Sequence, residues 1–116
     1  MNSSIHLLAV LCVAMIAGGQ VLFKLTAREL HLSTSIIASK PILIGLCALA
    51  LYAAATLIWI ALLRNAPLSR LYPYMALSFV LVAAAGWWVF GEPVALAQIA
   101  GLGLILAGLL VIAAAA

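Results

Sequence analysis

The sequence predicts an all-α integral membrane protein of four transmembrane helices, and three observations carry that prediction. Seventy per cent of the 116 residues are hydrophobic and only six per cent are charged. Mean hydropathy is +1.41. The apolar residues also gather into four runs, each long enough to cross a bilayer core, which takes roughly 20 helical residues. Five Lys or Arg and two Asp or Glu cannot dress a soluble domain of this size. The formal charge of +3 is too small and too scattered to argue for nucleic acid, and it suits residues that flank spans.

The first run, Ile5 to Phe23, begins without the basic region of a signal peptide and is followed by three more spans. Its continuation, "KLTARELH", holds good helix formers and is expected to prolong the helix beyond the hydrocarbon, before "STSIIASKP" turns the chain as a cap-rich loop. The second run is Pro41 to Leu63, with Pro41 placed at a first helical position, where a missing N–H costs nothing. After the short connection "RNAPLSR" comes the third, Leu71 to Phe90. A tight "GEP" reversal leads to the fourth, Val94 to Ala115, which Pro93 is expected to open. Residues 1–116 are thus expected to form one four-helix domain with no soluble catalytic part. Cys12 and Cys47 sit in apolar runs without a nearby His or acid and read as packing residues, not as a metal site or disulfide.

In a four-span chain the termini and the second connection share one side of the membrane. Arg64 and Arg70 stand there, against Lys24, Arg28 and Lys40 on the other side. That bias is too small for the positive-inside rule to set an orientation. Two readings stand: the few charges carry little information, or the chain inserts both ways and pairs antiparallel.

Polar residues in so apolar a background are functional candidates. Gln20 lies one turn deeper than Lys24, roughly 6 Å by helix rise, and an amide there bonds another helix or a substrate. Lys24 either snorkels to the headgroups or acts as a ligand. Gly18 and Gly19 thin the helix and admit a neighbour or a ligand headgroup. Glu92 either complements the positive end of the fourth helix, or meets substrate, or pairs with Lys24. Arg64 and Arg70 flank spans, and their planar forks also suit phosphate. Tyr72, Met75 and Phe79 share one helical face, with Pro73 bending the entry. Tyr74, Trp87 and Trp88 read as interfacial belt residues, and His6 and His31 as headgroup contacts. In the fourth span, Ala97, Gly101, Gly103, Ala107 and Gly108 make small-residue stripes, for association with a second subunit or for packing within the chain.

Together "GGQVLFK", "LLRNAPLSRLYPYMALSFV", "FGEP" and "GLGLILAGLLVI" cover most of the chain. The combination resembles the four-span members of the drug/metabolite transporter superfamily, the EamA-like and small-multidrug-resistance-like proteins. Within them it is most similar to the subunits of the bacterial flippase for undecaprenyl-phosphate-linked aminoarabinose. One departure is informative. Small multidrug exporters carry a glutamate in the first span, and alignment of the shared lysine on Lys24 places that position at Ile16. No Asp or Glu occurs from Ile5 to Phe23. The third-span tyrosine of those exporters lands on Tyr72, while the tryptophan three residues on becomes Met75.

The resemblance implies a half-transporter in the bacterial inner membrane that works as a homodimer or with a paralogous four-span subunit. It would move a polyprenyl-phosphate-linked sugar, without covalent chemistry and without a metal or cofactor. Lys24 on one side and Arg64 or Arg70 on the other would meet the phosphate. Gln20 and Tyr72 would bond the sugar, and Glu92 would receive an amino group. A multidrug-type exporter and a non-transporting scaffold subunit are the alternatives; an enzyme is not expected.

Overall fold

The computed structural model describes residues 3–32 and 39–115. The loop expected over "STSIIASKP" lies largely outside them. In chain order the elements are α1 (Ser3–Leu32), α2 (Ser39–Leu63), α3 (Leu68–Leu71), a 3-10 turn (Tyr72–Met75), α4 (Ala76–Val89) and α5 (Leu96–Ala115). From α3 through α4 the chain is one span-length unit, Leu68–Val89, so four segments are long and apolar enough to cross a membrane. α1 has 30 residues, about 45 Å of helix against a hydrocarbon core of about 30 Å. The "KLTARELH" end therefore projects beyond the core.

α1 and α2 make the most extensive contact. Its buried residues are mostly small: Ala9, Cys12, Val13 and Ala17 on α1, with Ala48, Ala55 and Leu62 on α2. Without large side chains between them the backbones approach closely, and dispersion replaces the hydrophobic drive that lipid does not supply. The Cys12 thiol donates to the Ala55 carbonyl at 3.1 Å. Cys47, by contrast, is exposed on the outer face of α2 and packs no core.

The third span is interrupted for a local reason. Pro73 brings no N–H, and the next turn closes tightly, with the Ala76 N–H on the Pro73 carbonyl. Its helix starts at Leu68, earlier than expected, after an extended Pro67. Tyr74 is not a belt residue: it is 6% exposed, and its hydroxyl meets His6 Nδ1, with the rings 5.7 Å apart. His6 is thereby a partner of the broken third span and not a bare headgroup contact.

Beyond Val89 the chain reverses through Gly91, whose φ of 63° is left-handed and natural to glycine. The Glu92 N–H reaches back to the Gly86 carbonyl at 3.0 Å. Residues 91–95 are non-helical, and α5 begins at Leu96, not at Val94. The Ala95 carbonyl accepts its first bonds, from Gln98 and Ile99. Pro93 opens no helix: it lies inside the non-helical stretch by which the chain steps from α4 to α5.

α5 rests lightly on α4 and the 3-10 turn, with Leu109 its buried residue. A side chain at Gly101, Gly103 or Gly108 would meet nothing within 4 Å, so these glycines are not used for packing inside the chain. The whole is a slab of 51 × 36 × 17 Å, about one and a half helix diameters thick. Ala55→Leu is expected to overpack the α1–α2 seam and destabilise it by about 1–3 kcal/mol. Thermal unfolding in detergent checks this, with Leu57→Ala on the exposed face of α2 as the substitution that leaves the midpoint in place.

Candidate functional site

Three hollows with shared walls run along one side of α1. The largest, about 890 Å³, lies between Ile16 and Gln20 of α1, Tyr52 of α2, the Tyr72–Met75 turn, Ser78, Phe79 and Val82 of α4, Glu92, and Gln98 and Leu102 of α5. Gln20, Val82 and Glu92 also line the next hollow, about 340 Å³, together with Lys24, Gly86 and Phe90. Lys24, Phe90 and Glu92 continue into a third of similar size, which Arg28 and His31 complete. Every spanning segment contributes to this cleft, and its polar groups are few and convergent, as in ligand sites generally.

The geometry around Gln20 is set by glycine. A Cβ on Gly19 would lie 2.7 Å from the Tyr52 ring, and one on Gly18 would lie 3.3 Å from Leu51. What the paired glycines admit is therefore α2. Tyr52 lies against α1, 5.6 Å from the Phe23 ring, and its hydroxyl accepts a 2.7 Å bond from Gln20 Nε2. With that nitrogen engaged, the Gln20 amide offers Oε1 as an acceptor.

Tyr72 is 60% exposed and stands edge-on to Trp59, with ring centroids 6.3 Å apart. Tyr72, Met75 and Phe79 all line the large hollow, so the predicted helical face looks into the cleft. Glu92 does not cap α5, which starts four residues later. Its carboxylate folds back over Gly86, where an added Cβ would lie 3.2 Å from Glu92 Cδ and closer still to Oε1. Lys24 and Glu92 line the same hollows, yet no ion pair joins them among the described residues; the pair that forms is Lys40 with Glu29, at 3.4 Å.

Gln20, Lys24, Tyr72 and Glu92 are thus brought to one cleft, whereas Arg64 and Arg70 are exposed at the opposite end and line none of its three hollows. Tyr52, Ser78 and Gln98 were not anticipated. Gln98 carried the same signal as Gln20, an amide in an apolar span, and Tyr52 was a hydroxyl in mid-helix.

The sequence profile of the EamA-like transporter family matches residues 1–114. The chain belongs to the EamA-like transporter family. Among similar proteins, the probable 4-amino-4-deoxy-L-arabinose-phosphoundecaprenol flippase subunit ArnE of Serratia proteamaculans is 31% identical over 105 residues, 90% of this chain and 91% of that protein. The subunit ArnE of Klebsiella pneumoniae is 41% identical over 56 residues, 48% of this chain and 50% of the relative. The subunit ArnF of Erwinia tasmaniensis is 44% identical over 63 residues, 53% of this chain and 50% of the relative. The matches to these last two span half the length of each relative. No solved structure matches the chain. In this EamA-like protein Gly86→Ala is expected to push the Glu92 carboxylate from its seat. The Glu92 side-chain carbon resonance should move in that variant and stay put in Gly103→Ala, where the added methyl enters open space.

Proposed function

We propose that this chain is one subunit of a flippase that carries a polyprenyl-phosphate-linked amino sugar across the bacterial inner membrane. The observation that carries the reading is the convergence of Gln20, Tyr72 and Glu92 on one hollow with Lys24 on the adjoining one. Relatives named as flippase subunits for an aminoarabinose phosphoundecaprenol support the substrate class. Nothing in the substrate is made or broken. The four spans act as a single domain. The polyprenyl tail stays in lipid while the headgroup follows α1, its hydroxyls bonded by Gln20 and Tyr72 and its amino group by Glu92. Lys24 meets the phosphate at one end of the path, and Arg64 or Arg70 meets it at the other.

In this reading the transporter is a dimer, antiparallel, with a second copy or a paralogous four-span subunit, which the thinness of the slab, 17 Å, supports. Ala97, Gly101, Gly103, Ala107 and Gly108 on α5 supply its contact. A proton-coupled cation exporter is disfavoured by Ile16, an apolar residue lining the cleft at the position where the exporters place their glutamate.

In proteoliposomes given the lipid-linked sugar, with and without a partner subunit, Gln20→Ala, Lys24→Ala and Glu92→Gln should each slow translocation by about tenfold, the scale of one charge-assisted or buried hydrogen bond. Tyr52→Phe, which loses only a helix-to-helix bond, should cost about threefold. Full flipping by Gln20→Ala and Lys24→Ala sinks the assignment. Export of cationic dyes by wild-type vesicles that move no lipid-linked sugar favours the exporter instead.

A further inference from the structure

The mouth of the cleft holds two groups that the transport reading leaves idle. Lys24, Arg28 and His31 are spaced i, i+4 and i+7 on α1, one stripe of a helix. All three line the outer hollow of about 340 Å³, with Phe90 and Glu92 of the α4–α5 connection opposite. Glu29, one residue round the helix, is engaged on the α2 side by Lys40 at 3.4 Å. Among the described residues neither Lys24 nor Arg28 has a carboxylate partner. Like charges one turn apart repel. The helix C-terminus favours cations in its last turn, which accounts for His31 but not for Lys24, two turns earlier. From Lys24 the helix continues about 12 Å past the apolar run, at the depth of phosphate headgroups.

We infer that Arg28 and His31, together with Lys24, form a binding site for a phosphate ester at the mouth of the cleft. The Arg28 guanidinium offers a planar fork for two phosphate oxygens, and the His31 ring offers an N–H donor. Lys24 contributes a point charge at the inner edge. From Arg28 to Gln20 is about two turns, or 12 Å, so a group attached to a phosphate held there extends inward past Lys24 towards Gln20. Taking the phosphate from a lipid rests on the transport reading. A free phosphate presents the same chemistry.

The test uses the full chain in nanodiscs of neutral phosphatidylcholine, titrated with undecaprenyl phosphate, with uncharged undecaprenol and with inorganic phosphate. Wild type should bind undecaprenyl phosphate at least about tenfold more tightly than undecaprenol. The double variant Arg28→Gln/His31→Ala should lose at least about that factor, the scale of a single charge-assisted contact, and Arg28→Lys should recover only part of it. Both side chains are exposed, so neither change threatens folding. Competition by millimolar inorganic phosphate identifies a site for phosphate from either source, and its absence a site for the lipid. Wild-type affinity in the double variant overturns the inference; if translocation of the lipid-linked sugar also persists, the transport reading survives without it. Affinity lost in the variant, from a wild type that moves no lipid-linked sugar, keeps the site and removes the transport reading.

Discussion

The Tyr52 ring lies on the α1 backbone at Gly19, and the polar character of the cleft depends on that approach. A side chain at Gly19 would stand 2.7 Å from the ring, and the ring would have to leave. Tyr52 would then no longer accept the Gln20 amide, which it now holds at 2.7 Å. In hydrocarbon an unpaired amide costs more than the bond it lost. One missing methyl thus decides how closely two helices pack and which end of an amide is offered to the cleft.

From that seam outward the chain becomes progressively looser, and the gradient suits a carrier. α1 and α2 hold most of the buried residues, the third span is broken at Pro73, and α5 buries only Leu109 among its described residues. Polar groups sit at the boundary between the tight and loose halves, where α1 faces α4 and α5. A headgroup moving along that boundary disturbs few packed contacts. In the proposed dimer, a second subunit covers the open side of the slab.

Hydropathy and run length were enough to read four spans, because lipid forces every backbone group into helix and every span to a minimum length. Termini of elements were read less well. Pro93 suggested a helix start, yet the step from α4 to α5 takes the five residues 91–95, and Pro93 lies inside it. Partnerships across distant sequence were not legible. His6 and Tyr74 are 68 residues apart, and each alone resembles an interfacial residue. For Glu92, the left-handed Gly91 turns the carboxylate onto Gly86, and no local spacing rule announces that fold-back. Gln20, Tyr72 and Lys24 were found because a polar side chain in an apolar run stands out. Gln98 and Tyr52 carry the same signal, a polar side chain within an apolar run.

That the headgroup travels along α1 is the claim on which the remaining roles rest, and photo-crosslinking tests it most directly. A polyprenyl-phosphate-linked sugar bearing a diazirine on the sugar, illuminated in membranes with the wild-type chain, labels the residues it passes. The account predicts adducts at cleft-lining positions such as Gln20, Met75, Phe79 and Gln98. Labelling confined to lipid-facing positions such as Leu43 or Leu57, with the cleft unlabelled, would contradict it.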